Sequence, residues 1–173
     1  MEILASLLRA SRALLDKKQE EIGAWVKLDQ QEISRWEAGK YKLLSIDATN
    51  LQKTFEENGL EFVPAGREWG AWVRWQKPGR VDPNRAAQFR AARAMANLTL
   101  RELGGASGVS RTFIYRLERE KPTAFNFDAL KGLEATFNRF EIELTPATAS
   151  FGSGVRWTVA EPTVLKKWLA AET

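Results

Sequence analysis

Leu103-Gly104-Gly105-Ala106-Ser107-Gly108-Val109-Ser110-Arg111-Thr112-Phe113-Ile114-Tyr115-Arg116-Leu117-Glu118 is the stretch on which the fold turns. Gly108-Val109-Ser110 interrupts two helical patterns, Leu100–Ser107 before it and Arg111–Arg119 after it. Ser110 reads as the N-cap of the second helix, because a Ser hydroxyl accepts one of the amides that a helix start leaves unpaired. Gly108 suits the left-handed conformation that a tight turn between helices demands.

Working outward, the chain repeats itself. Arg9–Leu15 reads RASRALL and Arg90–Ala96 reads RAARAMA, an offset of 81. The same offset superimposes Glu21-Ile22-Gly23 on Glu102-Leu103-Gly104, Leu28 on Val109, Ile33 on Ile114, Arg35 on Arg116, Trp36 on Leu117, Glu37 on Glu118 and Lys40 on Lys121. One extra residue then moves the offset to 82, and Leu60–Pro64 meets Ile142–Pro146 while Val73-Arg74-Trp75 meets Val155-Arg156-Trp157. Such sustained self-similarity is the signature of an internal repeat. The boundary falls near Val81-Asp82, after the turn-rich Lys77-Pro78-Gly79-Arg80.

In the first copy, apolar residues at Ile3, Leu4, Leu7, Leu8, Leu14 and Leu15 predict an amphipathic helix. Gln19–Val26 is a short second helix and Lys27-Leu28-Asp29 a tight turn. Asp29 caps a third helix from Gln30 to about Ala38, with Glu32 as its capping-box partner, and Gly39 is the stop. Two further short helices are expected in each copy, around Ile46–Asn58 and Phe127–Asn138. The period then changes: Glu61–Val63 and Trp72–Trp75, matched by Glu141–Thr145 and Gly154–Val159, read as paired short strands. The tail Pro162–Thr173 reads as a closing amphipathic helix.

Composition narrows the chemistry. The chain has 173 residues, 26 Lys+Arg against 22 Asp+Glu, and neither Cys nor His. Disulfides, thiolate or imidazole metal sites, Ser-His-Asp triads and Cys-His pairs are excluded. No cofactor or metal is expected, and no Gly-rich phosphate loop or nucleophile–base pair argues for an enzyme. Residues 1–81 hold 13 basic and 12 acidic side chains, residues 82–173 hold 13 and 10, so the second copy is the more basic. No apolar run is long enough for a membrane span, and the N-terminus lacks the order of a signal peptide. A cytoplasmic, bacterial-style protein is the expectation.

The segment Gly104–Glu118 resembles the Cro/repressor-type (XRE-like) helix-turn-helix, with its small fifth residue (Gly104), its ninth-position Gly (Gly108) and apolar residues at Leu103, Val109, Ile114 and Leu117. The first copy resembles it too, through Gln19, Gly23, Ile22, Leu28, Ile33 and Trp36. It departs at Lys27, which replaces the turn Gly and points either to left-handed strain or to a different turn. The second copy departs at Leu100, where the family has Gln. The strand pairs resemble the β-extension of some bacterial members. The resemblance implies a mainly α fold with small β-hairpins: two tandem lambda-repressor-like helix-turn-helix domains, residues 1–81 and 82–173, each followed by a β-hairpin, the second also by a C-terminal helix.

The function so implied is a sequence-specific double-stranded DNA-binding transcriptional regulator, a repressor by type. In this geometry the third helix of each unit enters the major groove. The base-reading set is Gln30, Gln31, Ser34 and Arg35 in the first copy and Arg111, Thr112, Tyr115 and Arg116 in the second. Arg suits guanine O6/N7, and Gln suits adenine N6/N7. Gln19, Arg12, Lys40, Arg93 and Thr99 are the candidates for phosphate contacts, Gln19 because the family uses that residue type there. Competing roles exist for several. Arg35 could pair with Glu20 or Glu21, and Arg116 with Glu102. Glu32 opposes an anionic partner unless it meets cytosine N4. Two fused motifs predict a monomer reading an imperfect inverted repeat through paired hairpins. The rival is a homodimer through the hairpins and a Trp-rich surface, Trp69-Trp72-Trp75. The alternative function is an antitoxin or protein-interaction module in which only the second copy binds DNA.

Overall fold

The computed structural model describes residues 2–40, 46–121 and 126–163. The closing helix expected over 162–173 lies, from residue 164 on, outside the described residues. The chain is mainly helical with one small antiparallel sheet. It runs α1 (Glu2–Leu14), α2 (Gln19–Val26), α3 (Gln30–Glu37), α4 (Ile46–Glu57), β1 (Leu60–Val63) and β2 (Trp72–Trp75). After a 3-10 turn over Pro83–Arg85 come α5 (Ala86–Met95), α6 (Leu100–Ser107), α7 (Arg111–Glu118), α8 (Phe127–Arg139), β3 (Ile142–Thr145) and β4 (Gly154–Trp157).

The turns recur with the same spacing as the elements. Left-handed residues occur at Asp16 and Asn97, Lys27 and Gly108, Gly39 and Glu120, and Gly59 and Glu141. Lys27 takes φ 59° where Gly108 takes 70°, so the two turns are of one kind and Lys27 bears the left-handed strain. The left-handed Glu141 also starts the third strand at Ile142, one residue later than the alternation of charged and apolar residues predicts. The fourth strand ends at Trp157, before the expected Thr158-Val159.

The sheet order is β1-β2-β4-β3, antiparallel throughout. Each hairpin forms locally, and the two hairpins join along β2 and β4, with Val73 opposite Val155. These two residues are equivalent in the repeat, so a local pseudo-two-fold axis passes between them. Bonds beyond the ladder obey it. The Gly70 N–H donates to the Trp157 carbonyl and the Gly152 N–H to the Trp75 carbonyl, both at 2.8 Å. A side chain fits at neither glycine: a Cβ would lie 2.4 Å from the Trp157 Cβ in one case and 2.6 Å from the Trp75 Cβ in the other.

Strand alternation disposes of a single Trp-rich surface. Residues three apart on a strand point to opposite faces. Trp75 is buried on the inner face with Val73, whereas Trp72 lies on the outer face, donating to Thr145 Oγ1 at 3.0 Å and meeting the Phe151 ring edge-on. Trp69 is on the connecting loop, 38% exposed. The inner hairpin edges are likewise occupied within the chain and are not available to a second copy.

The inner face of the sheet carries Leu60, Val73, Trp75, Ile142, Val155 and Trp157, all in one hydrophobic core that runs through both halves. The α1–α5 pair packs beneath it. Ser6 near the start of α1 accepts from Trp157 Nε1 at 3.0 Å, and Gln88 near the start of α5 donates to the carbonyls of Thr145 and Gly154, each at 2.8 Å. The N-terminal parts of α1 and α5 are therefore pinned to the sheet, and their C-terminal ends point away from it.

Candidate nucleic-acid interface

The α2–turn–α3 and α6–turn–α7 units are built by the same local rules. Asp29 Oδ1 accepts the Glu32 amide at 2.8 Å and Ser110 Oγ accepts the Phe113 amide at 3.2 Å, so each third helix starts on the expected cap. Ile33 and Trp36, like Ile114 and Leu117, are buried. Gln30, Gln31, Ser34 and Arg35 are exposed on α3, and Arg111, Thr112, Tyr115 and Arg116 are exposed on α7. Burial thus brings each expected base-reading set onto one solvent-facing stripe, i, i+1, i+4, i+5, a spacing that shares one side of a helix.

The expected phosphate contacts fare differently. Arg12 and Arg93 are engaged within the chain. Arg93 holds Glu118 with two parallel bonds (Nε–Oε1 2.6 Å, Nη2–Oε2 2.7 Å) and donates to the Leu98 carbonyl at 2.8 Å. Arg12 holds Glu37 through Nε and Nη2 in the same way and donates to the Lys17 carbonyl at 3.0 Å. Both carboxylates are buried, and a charge there requires a partner. These arginines are spent on the C-terminal ends of α3 and α7. Gln19 also turns inward, donating to Glu37 at 2.9 Å. Thr99 and Lys40 are exposed. Thr99 Oγ1 accepts the Glu102 amide at 3.2 Å as the cap of α6.

Among the described residues, the ion pairs expected of Arg35 with Glu20 or Glu21 and of Arg116 with Glu102 do not form. The repeated Glu two residues after Arg35 and Arg116 goes to the first helix of its own unit. Glu21 bonds Lys17 and the Lys18 amide, and Glu102 bonds the Thr99 amide. The backbone N–H of Lys18, and then Lys17, hold the Glu21 carboxyl below its ordinary value; the Thr99 amide does the same for Glu102. Glu32 is explained as well: its carboxylate takes the Asp29 amide at 2.9 Å, a capping role. The two third helices differ in electrostatics as a result. Asp29 and Glu32 place two carboxylates at the start of α3, where α7 has Ser110 and Phe113.

Sequence reasoning missed three further features. Arg119 is stacked over Tyr115, 4.9 Å from the ring centroid, and extends the cationic stripe of α7; its counterpart is Ala38. Glu37 and Glu118 anchor the first helices. Arg9 and Arg90 cross between the halves. Arg9 donates from Nε to the Ala94 carbonyl at 2.8 Å, from Nη2 to that of Met95 at 3.2 Å and from Nη1 to that of Glu37. Arg90 donates from Nε to the Ala13 carbonyl at 2.7 Å and from Nη1 to that of Glu118 at 2.6 Å. The repeat of RxxR in α1 and α5 was the available signal. These bonds bring the C-terminal ends of α1, α5, α3 and α7 together, so both third helices meet the helix pair at the end away from the sheet.

Among the described residues no helix is long and apolar enough to cross a membrane. Residues 89–143 match the family model described as Helix-turn-helix. The match runs from α5 to β3 and covers the unit with the glycine turn. A domain of this kind supports double-stranded DNA binding and a regulatory role in transcription. No curated protein and no solved structure matches the chain.

Proposed function

We propose that this chain is a single-polypeptide, sequence-specific regulator of transcription, a repressor by type, in which two helix-turn-helix units derived by duplication read the two unlike halves of an imperfect inverted repeat. The observation that carries the reading is the pseudo-two-fold arrangement. Hairpins joined at Val73 and Val155, with α1 and α5 tied reciprocally, hold α3 and α7 at one end of the molecule. Two-fold-related recognition helices suit a two-fold-related site with half-sites about one helical turn, roughly 34 Å, apart. A monomer supplies both. The unlike reading stripes make the halves of the site differ: Arg111, Arg116 and Arg119 favour guanine, and Gln30 and Gln31 favour adenine.

Selection of bound duplexes from a random pool tests this. The expected product is one site with two different halves in inverted orientation, bound one chain per duplex. Direct repeats, or a lone half-site, would contradict it. Arg111→Ala with Arg116→Ala is expected to cost roughly 1–3 kcal/mol per lost bidentate contact and to relax preference in one half only.

The two carboxylates at the start of α3 favour a second reading. In it only α7 touches DNA, and the first unit is an antitoxin-like or other protein-binding surface. Gln30→Ala with Gln31→Ala separates the two: unchanged affinity and site length support the second reading, and loss of one half-site supports the first.

A further inference from the structure

We infer that Arg9 and Arg90 are positioning residues that set the separation and mutual angle of the two recognition helices, and hence the half-site spacing the protein accepts; the inference rests on the DNA reading above. Each guanidinium bridges two elements that belong to different halves. Arg9, on α1, joins the last turn of α5 (Ala94, Met95) to the C-terminal carbonyl of α3 (Glu37). Arg90, on α5, joins the last turn of α1 (Ala13) to the C-terminal carbonyl of α7 (Glu118) and lies 3.5 Å from Asp16.

The chemistry suits a spacer. The last carbonyls of a helix have no partner inside it, and a cation there is favoured by the helix dipole. The planar guanidinium presents its donors in a rigid fork, so two carbonyls on two helices are held at a set distance. A Lys at either position offers a rotating ammonium on a flexible stem. The sheet joins the halves at the other end of α1 and α5; among the described residues, the contact between α1 and α5 apart from these bridges is apolar packing, which is less directional.

The chain has no Cys, so Gln31→Cys with Thr112→Cys places one spin label on each recognition helix. Pulsed electron resonance on this doubly labelled chain is expected to give one narrow distance distribution without DNA. Adding Arg9→Gln and Arg90→Gln is expected to broaden it at least two-fold, while helix content and a cooperative melt persist. Arg9→Lys with Arg90→Lys should give an intermediate width. In parallel, the selected operator is compared with versions carrying one inserted central base pair. The insertion is expected to weaken the parent protein about 100-fold and the Gln variant less than ten-fold. A distribution as narrow in a folded Gln variant as in the parent overturns the inference. So does an unchanged insertion penalty. If no duplex is selected at all, the DNA reading fails, and the label distances still decide whether the arginines set the geometry. If the Gln pair does not fold, the single substitutions Arg9→Gln and Arg90→Gln carry the same comparison.

Discussion

At the scale of single residues, the repeat offers controlled comparisons, because one backbone position carries two side chains. Lys27 and Gly108 share a left-handed turn. A non-Gly residue there costs roughly 1–2 kcal/mol, partly offset because Gly loses more freedom on folding, roughly 0.5–1 kcal/mol. Lys27→Gly is therefore expected to stabilise by about 0.5–1 kcal/mol in urea unfolding, and Gly108→Lys to destabilise by a similar amount. Gly23 and Gly104 make a second pair. A Cβ on Gly23 would approach the Leu28 carbonyl oxygen to 2.4 Å, and one on Gly104 the Val109 oxygen to 3.1 Å. Alanine gains about 1 kcal/mol in helix propensity over Gly. That gain outweighs the mild crowding at Gly104 and not the backbone clash at Gly23. Gly104→Ala should be neutral or better, and Gly23→Ala should lower stability by about 1–3 kcal/mol; equal effects would contradict the geometry. These small residues were legible as a pattern, but which copy tolerates a methyl was not, since it depends on tenths of an ångström in a turn.

At the scale of elements, caps and ion pairs explain why short helices hold. Helices of eight residues are unstable alone, so α2, α3, α6 and α7 depend on their ends and on packing. The carboxyls of Glu21 and Glu102 are held below their ordinary 4.5 by the Lys18 and Thr99 amides they accept. A carboxylate with a depressed folded pKa stabilises fully above its unfolded value and loses that effect as pH falls through the folded one. The starts of α2 and α6 should therefore loosen only below about pH 4.5, read as lost amide protection at Lys18 and Thr99; loosening near pH 6 would contradict this account. Glu37→Gln removes the partner of Arg12. Breaking a buried pair costs about 3–5 kcal/mol, and Arg12 keeps partial solvent access, so about 2–3 kcal/mol is expected from chemical denaturation. The repeated Arg and Glu were visible in sequence. Their pairing was not: the pairs expected were Arg35 with Glu20 or Glu21 and Arg116 with Glu102, whereas the fold brings Arg12 to Glu37 and Arg93 to Glu118, 25 residues apart along the chain.

At the scale of the whole molecule, the two halves of the chain share one core and one sheet. Unfolding should be a single cooperative transition. Gly152→Val, which drives a side chain into Lys77 and Trp75 at the hairpin junction, should lower the stability of both halves together by about 2–3 kcal/mol. Two transitions in urea, followed by tryptophan fluorescence, would show instead that the halves fold independently.

What the sequence by itself determined is local: helix lengths, the Asp29 and Ser110 caps, the turn at Gly108, the buried stripes of Ile33-Trp36 and Ile114-Leu117, and the exposed stripes of α3 and α7. Each follows from periodicity and from hydrogen-bonding needs a few residues apart. Only the tertiary structure decided that Arg12, Arg93 and Gln19 face inward, that Trp72 and Trp75 part to opposite faces of the sheet, and that the hairpins join within the chain. Those outcomes depend on which residues apart in sequence the fold brings together, within one half for the ion pairs and across the pseudo-two-fold axis for the hairpins. A guanidinium that could reach a phosphate reaches a buried carboxylate when the fold places one there, because a charge left unpaired in the interior costs more than a solvent contact returns.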